Sequence, residues 1–390
     1  MNRSFDINFY KGKRVFITGH TGFKGSWMCL LLLMMGAKIT GFSLKPEDGN
    51  IRGSMSVDRS KSLFCLCGLD KLKEKDGLTS IYGDIRDYDA LYAAFDKADP
   101  EIVIHMAAQP IVRESYSNPR LTYETNVIGT VNILECVRKH PGVRSFVNVT
   151  TDKVYLNKEW DWGYRENEEL MGFDPYSNSK SCSELVTYSY RNSFFANSDS
   201  QRPQTAITTM RAGNVIGGGD FGEDRIIPDC VRCALSNKST ITVRNPYSIR
   251  PYQFVLEPVY AYIYTAAMCY EDFALAGSYN IGPDECDCVT TGELTDLFCQ
   301  KWNEVSGAET KLGWVYPKEG GINNEPHEAK FLRLDCSKFK NTFGWKPCWH
   351  IDTTISKIIE WTKVYLEDGD IRECMEKQIK EFLSDESKQK

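Results

Sequence analysis

A glycine-rich turn lies between a short apolar strand and an apolar helix, and this junction constrains the chain more than any other feature. Lys13 to Thr18 reads as a strand, Gly19-His20-Thr21-Gly22-Phe23-Lys24-Gly25 follows, and Ser26 to Met35 reads as a helix closed at Gly36. Strand, glycine turn and helix in that order are the setting in which a glycine pattern becomes a dinucleotide site. The glycines allow a tight turn, close approach of backbone to pyrophosphate and close helix–strand packing. The helix N-terminus adds unsatisfied N–H groups and a positive dipole. The cofactor candidates here are Gly19, Thr21, Gly22, Phe23, Lys24 and Gly25.

The alternation continues. A second strand, Lys38 to Ser43, ends without the Asp or Glu that would bind the adenosine ribose, so the choice between NAD and NADP stays open at this point. Residues 45–78 read as an irregular polar excursion. Thr79 to Tyr82 is a third strand, followed by Asp84 and Ile85, a carboxylate and an apolar side chain placed to flank adenine. A helix from Tyr88 to Lys97 precedes a fourth strand, Ile102 to Met106. This strand ends in Ala107-Ala108-Gln109, where small residues let a cofactor lie close. Asn118-Pro119 opens a helix to Lys139 that carries Asn126, and Ser145 to Val149 is a fifth strand. A sixth, Thr205 to Arg211, follows a helix from Tyr176 to Phe195. Strands alternating with helices predict an α/β fold with a doubly wound, Rossmann-type parallel sheet. Its ligand belongs at the carboxyl ends of the strands.

Beyond residue 212 the order is harder to read. The expected division is a cofactor-binding domain over about 1–200, to which the 205–211 strand and part of 250–262 return. A smaller, interwoven lobe covers about 212–365. Ile351 to Leu366 reads as an amphipathic helix, and 366–390 as a charged tail.

Composition narrows the function classes. The chain has 390 residues, 42% hydrophobic and 26% charged, with a net charge of −6. No long basic run is present, which argues against nucleic acid or an anionic membrane as partner. Trp27 to Met35, the longest apolar stretch, is too short to span a bilayer. Fourteen cysteines lack the spacing of a zinc site, so they read as reduced thiols of a cytoplasmic protein, and no metal is expected.

Two stretches carry chemistry. Val149-Thr150-Thr151-Asp152-Lys153-Val154-Tyr155 places a hydroxyl, an acid and an amine at the end of the fifth strand. Tyr176 and Lys180 stand one helical turn apart on one face. A nearby ammonium favours phenolate, so Tyr176 is a candidate base and Lys180 its tuner. The segment between them, rich in Trp, Glu and Gly, is long enough to cover a small ligand. Asn214 and Arg250 are candidates to grip a pyrophosphate, since a guanidinium fork suits phosphate. His20 and His105 read as packing residues or as cofactor-side hydrogen-bond partners, not as catalytic groups.

Together these pieces resemble the extended short-chain dehydrogenase/reductase family of nucleotide-sugar enzymes, and within it the dehydratases. The resemblance runs over about residues 8–365. It is carried by Gly-His-Thr-Gly-Phe-Lys-Gly, Thr-Thr-Asp-Lys-Val-Tyr, Asp-Pro-Tyr-Ser-Asn-Ser-Lys, Arg-Ala-Gly-Asn-Val-Ile-Gly-Gly-Gly-Asp, Arg-Pro-Tyr-Gln-Phe-Val-Leu-Glu-Pro and His327-Glu-Ala. It implies NAD held throughout turnover, a CDP-hexose substrate and a homodimer or homotetramer built from the helices near 119–139 and 176–195. By the same resemblance Asp152 is an acid, Lys153 a base at sugar C5, and Thr151 a partner of the sugar 4-hydroxyl. Thr150 joins the cofactor set, and Arg225, Ile227, Gln253, Asn280 and His327 join the substrate set. An epimerase, a reductase or a dehydratase of another nucleotide-sugar on the same scaffold is the alternative.

Overall fold

The computed structural model describes residues 6–46, 62–196, 204–222, 224–236, 238–307, 311–316 and 331–389. Seven parallel strands form one sheet: β1 (Arg14–Thr18), β2 (Lys38–Ser43), β3 (Leu78–Tyr82), β4 (Ile102–His105), β5 (Ser145–Val149), β6 (Ala206–Ala212) and β7 (Ser278–Ile281). Their order is β3-β2-β1-β4-β5-β6-β7. The reversal between β1 and β4 opens a crevice at the carboxyl ends, where such sheets bind ligands. β7 is a strand that the sequence pattern left unassigned. It pairs with β6 through Asn280↔Arg211, so residues from the second lobe complete the sheet.

Helix α1 (Phe23–Met34) starts three residues earlier than the apolar pattern suggests, so Lys24 and Gly25 belong to its first turn. Trp27 to Leu32 are all buried, because the sheet covers one side of α1 and helices cover the other. Helix α2 spans Tyr88–Ala98. Pro119–Tyr123 leads through one wide turn, Glu124–Ile128, into α3 (Gly129–Lys139). Helix α4 spans Pro175–Tyr190; Asp174 caps it by accepting from Ser177 N at 3.0 Å, and Pro175 sits in the first turn. Both features favour a helix start.

Helix α5 (Leu256–Glu271) is buried along nearly its whole length beneath the sheet. The second lobe carries a three-stranded sheet from Asn214–Ile216, Ile249–Phe254 and Cys288–Thr290, and helices Ile226–Leu235 and Thr291–Val305. α6 (Ile351–Leu366) matches the expected amphipathic helix. The expected charged tail is instead α7, Ile371–Gln389, which buries Ile371, Met375, Ile379 and Phe382. Its charges mask an apolar stripe at helical spacing: Phe382 stacks edge-on against Trp349 at 5.3 Å and Tyr260 at 5.8 Å.

Candidate functional site

The glycine turn is shaped by contacts that tolerate no side chain. Gly19 has φ +77°, and a Cβ there would lie 2.8 Å from Ala107 N. A Cβ on Gly25 would lie 2.3 Å from the Gly19 carbonyl oxygen. Gly22 faces only that oxygen, at 3.4 Å, and as the N-cap of α1 it offers no side-chain cap. The first-turn N–H groups of α1 thus lack a side-chain partner beside a glycine with open space, which suits a pyrophosphate. Thr21 is tied to Ser43 at 2.8 Å and to the Leu44 carbonyl at 3.1 Å, fixing the end of β2.

The remaining cofactor candidates separate into two kinds. Asp84 binds the Arg86 guanidinium at 2.6 Å; burial raises its pKa, but the Arg86 hydrogen bonds outweigh burial and hold it below the usual carboxylate value. Ile85 packs under Gly129. The Ala107 backbone packs directly against Gly19, and Ala108 follows it at the end of β4. Asn126 is buried, and its amide is used internally: Gln109 N donates to its oxygen at 2.8 Å, and its nitrogen donates to Ser179 at 2.9 Å. The Gln109 side chain closes its own turn through Ile111 and Thr122. These two amides therefore set the backbone at the end of β4 instead of pointing at a ligand.

The turn after β5 and the start of α4 meet below. Thr151 caps the short turn Asp152–Val154, and its hydroxyl donates to Asp152 Oδ1 at 3.0 Å. Lys180 Nζ donates to the Val149 carbonyl at 3.2 Å, so the amine of α4 grips the end of β5. Asp152 is 2% exposed, and its Oδ2 has no hydrogen-bond partner. A Cβ on Gly213 would come within 3.4 Å of that oxygen, which places the carboxyl against the start of the second lobe. Lys153 is partly buried beside it.

Burial dominates the electrostatics here. It raises the Asp152 carboxyl, against the lowering pull of Lys153, Thr151 and Arg250. It lowers Lys180 to about 7, helped by Lys24 and opposed by Glu184. Lys24 falls to about 8, again by burial first, then by Arg225, with Asp152 and Asp220 opposing. The expected lowering of Tyr176 does not occur. Part of the residue reaches the surface, but protein surrounds the phenol, and burial pushes it up to about 12. A hydrogen bond with Thr151 and the charge of Arg225 pull the other way without prevailing. Burial lowers Lys180 toward its neutral form, so it lends the phenol little charge.

Sequence reading missed the buried network behind these groups. Glu184, one turn beyond Lys180, accepts from Thr150 Oγ1 at 2.5 Å and from Arg211 at 2.9 Å through both oxygens. Arg211 also donates to Tyr155 Oη at 2.7 Å, and Tyr155 donates to Asn280 Oδ1 at 2.6 Å. The Asn280 amide donates to the Tyr164 and Asp335 carbonyls. Asn280 is 0% exposed, which removes it from the substrate set and makes it a tie between lobes. The Thr150 side chain likewise faces inward. Tyr262 of α5 was also missed. Its hydroxyl is buried without a hydrogen-bond partner and interacts electrostatically with Tyr176 and Asp152.

Of the other substrate candidates, Arg225 pairs with Asp220 at 2.9 Å and interacts with Tyr176, so it borders the site. Arg250 is buried near Asp152. Gln253 is buried with its amide nitrogen unpartnered, a donor still to be satisfied. Asn214 pairs with Tyr252 in the small sheet. Ile227 is buried, and its side chain packs in the main apolar core. His327 lies outside the described residues.

This sheet, this glycine turn and a Thr–Tyr–Lys cluster at the crevice define a short-chain dehydrogenase/reductase scaffold. The chain belongs to the GDP-mannose 4,6 dehydratase family, whose profile matches residues 16–358. It is 43% identical to a CDP-glucose 4,6-dehydratase of Salmonella typhimurium, over 97% of this chain and 98% of that one. It is 26% identical to a probable dTDP-glucose 4,6-dehydratase of Sinorhizobium fredii, over 91% and 93%. Among solved structures, a dTDP-glucose 4,6-dehydratase from Bacillus anthracis in complex with NAD superposes with a TM-score of 0.69 at 21% identity, covering 92% of this chain and 99% of that one. A UDP-glucose 4-epimerase from Thermotoga maritima with UDP-glucose gives 0.69 at 20%, covering 90% and 99%. Both share the fold. No helix among the described residues is long and apolar enough to cross a membrane.

Glu184→Gln should expose the weight of the network, because it leaves the Arg211 guanidinium buried without its counter-charge. Denaturant unfolding should show a loss of about 3–5 kcal/mol at neutral pH. Burial raises the Glu184 carboxyl, but Arg211 and Thr150 outweigh it and hold the carboxyl below its ordinary 4.5. Its contribution is therefore complete above that pH and fades as pH falls through the lower, folded value. The variant should lose less stability on acidification than the parent.

Proposed function

We propose that this protein removes water from CDP-glucose to give CDP-4-keto-6-deoxyglucose, with NAD as a resident cofactor. One observation carries the reading. A buried acid, Asp152, with Lys153 beside it, shares a site with Thr151, Tyr176 and Lys180, and an elimination needs an acid and a base beyond those of simple oxidation. The cytidine and glucose parts rest on the 43% identical relative. The uncapped glycine turn fits NAD, and Lys180 would hold its nicotinamide ribose. When bound, NAD supplies a hydride acceptor for C4, a donor for C6 and a positive charge beside Tyr176 that favours phenolate.

The chain's own residues move protons. Thr151 holds the sugar 4-hydroxyl, and Tyr176 takes its proton as C4 becomes a ketone. The ketone acidifies C5–H, which Lys153 removes as base. Asp152, whose carboxyl burial raises, donates its proton to the departing 6-hydroxyl, which leaves as water. The C5–C6 double bond is then reduced at C6 and reprotonated at C5, so only water is lost. The unpartnered Asp152 Oδ2 and Gln253 Nε2 are buried polar atoms that a bound nucleotide-sugar would satisfy. Arg250 and Asn214 would hold its pyrophosphate.

We also propose a homodimer or homotetramer. Ile128 on the turn leading into α3, Leu185 and Tyr188 on α4, and Phe194 just beyond α4 are exposed. Light scattering should give an oligomer for the parent and a smaller species for Leu185→Arg; an unchanged mass removes this face as the contact.

Lys153→Met should keep NAD and CDP-glucose binding while solvent deuterium no longer enters C5, followed by NMR. Removal of a positioned base should lower turnover by about 10²–10⁴-fold. Undiminished exchange would show that another group takes the C5 proton.

A further inference from the structure

Away from the crevice, three side chains of different chemistry converge where the second lobe meets α6. Cys286 and Asp287 lie on the short turn Glu285–Asp287, and His350 is the residue that precedes α6. The ligand atoms of all three lie within 4.8 Å of one another. His350 Nδ1 is 2.8 Å from Asp287 Oδ2 and 3.8 Å from Cys286 Sγ. Zinc–ligand distances of about 2.0 Å to N and O and about 2.3 Å to S place such atoms about 3.3–3.5 Å apart at tetrahedral angles. The observed separations bracket those values, so small side-chain rotations suffice.

The surroundings prepare the carboxylate. Asp287 is 2% exposed, and its other oxygen, Oδ1, accepts from Ile351 N at 2.9 Å. That bond fixes the carboxylate and leaves Oδ2 aimed at the imidazole, as an outer-sphere partner does in metal centres. The neighbouring acids are already matched: Asp284 pairs with Lys340 at 2.5 Å and Glu285 with Arg333 at 2.6 Å. Cys286 and His350 are both exposed, so an ion can enter from solvent.

We propose that Cys286, Asp287 and His350 form a surface site for a zinc-class divalent ion. Sulfur, imidazole and carboxylate together favour such an ion over magnesium or calcium, which prefer all-oxygen sets. The ion takes the place of the proton shared between His350 Nδ1 and Asp287. The imidazole keeps its hydrogen on Nε2, and Cys286 binds as thiolate, releasing its proton to solvent. Three protein ligands leave a fourth position for water. The site staples the 285–287 turn to the start of α6 and is independent of the dehydration chemistry.

Cobalt(II) titrated into the full-length, reduced protein is the test, because a cobalt–thiolate bond has a charge-transfer absorption that oxygen and nitrogen ligands lack. One equivalent should bind with that absorption, and zinc should displace it. Cys286→Ser should abolish the band, and His350→Gln should weaken cobalt binding at least tenfold, both with CDP-glucose turnover unchanged. A band that survives in Cys286→Ser would assign the metal to another of the fourteen cysteines and overturn the proposal. Absence of any band in the parent would do the same. His350→Gln alters an exposed ring, so it reports even if the cysteine variant misfolds.

Discussion

One buried carboxylate fixes the relation between the two stretches that carry the chemistry. Glu184 is held by Thr150 at the end of β5 and by Arg211 on β6, and it stands on the same helix face as Tyr176 and Lys180. A charge pair in such a place is costly to desolvate and is tolerated when every remaining hydrogen-bonding group finds a partner. Here the chain of partners runs from Thr150 through Glu184, Arg211 and Tyr155 to Asn280 on β7. The helix bearing the phenol, the strand end bearing the acid and the second lobe therefore cannot shift independently.

Dryness in the same region shifts each titratable group in one direction. Burial raises Asp152 and Tyr176 and lowers Lys180 and Lys24, so each group is pushed toward its neutral form. A neutral carboxyl is what a general acid needs. Asp152 and Lys153 are neighbours, and as an ion pair both would carry the wrong charge for elimination. Burial raises the Asp152 carboxyl, which works against that ion pair. Burial pushes the Tyr176 phenol up to about 12, so further positive charge has to reach it before it can act as a base.

Much of this was legible in the sequence because local rules and global fold agree. The strand–glycine–helix junction and the six alternating strands read correctly, since short strand runs alternate with helical patterns between turn signals. β7 was missed because Ser278–Ile281 is a four-residue strand whose place depends on pairing with β6, which no local pattern encodes. α7 was missed because its charges outnumber its buried residues. The network left two faint signals: Tyr176, Lys180 and Glu184 recur at helical spacing, and Arg211 is a charge near the end of the sixth strand, where burial demands a partner. Asn280 was assigned to substrate by resemblance, and only coordinates reveal that its amide is consumed between lobes.

The account stands on an internal exchange: C4 of the sugar is oxidised, water leaves, and the same hydride returns to C6. CDP-glucose carrying deuterium at C4, incubated with the purified protein without added reductant, tests this directly by NMR and mass spectrometry. The predicted product is a 4-keto-6-deoxy sugar with the deuterium in its C6 methyl group. Deuterium retained at C4 of an intact hexose, or lost altogether, would contradict it.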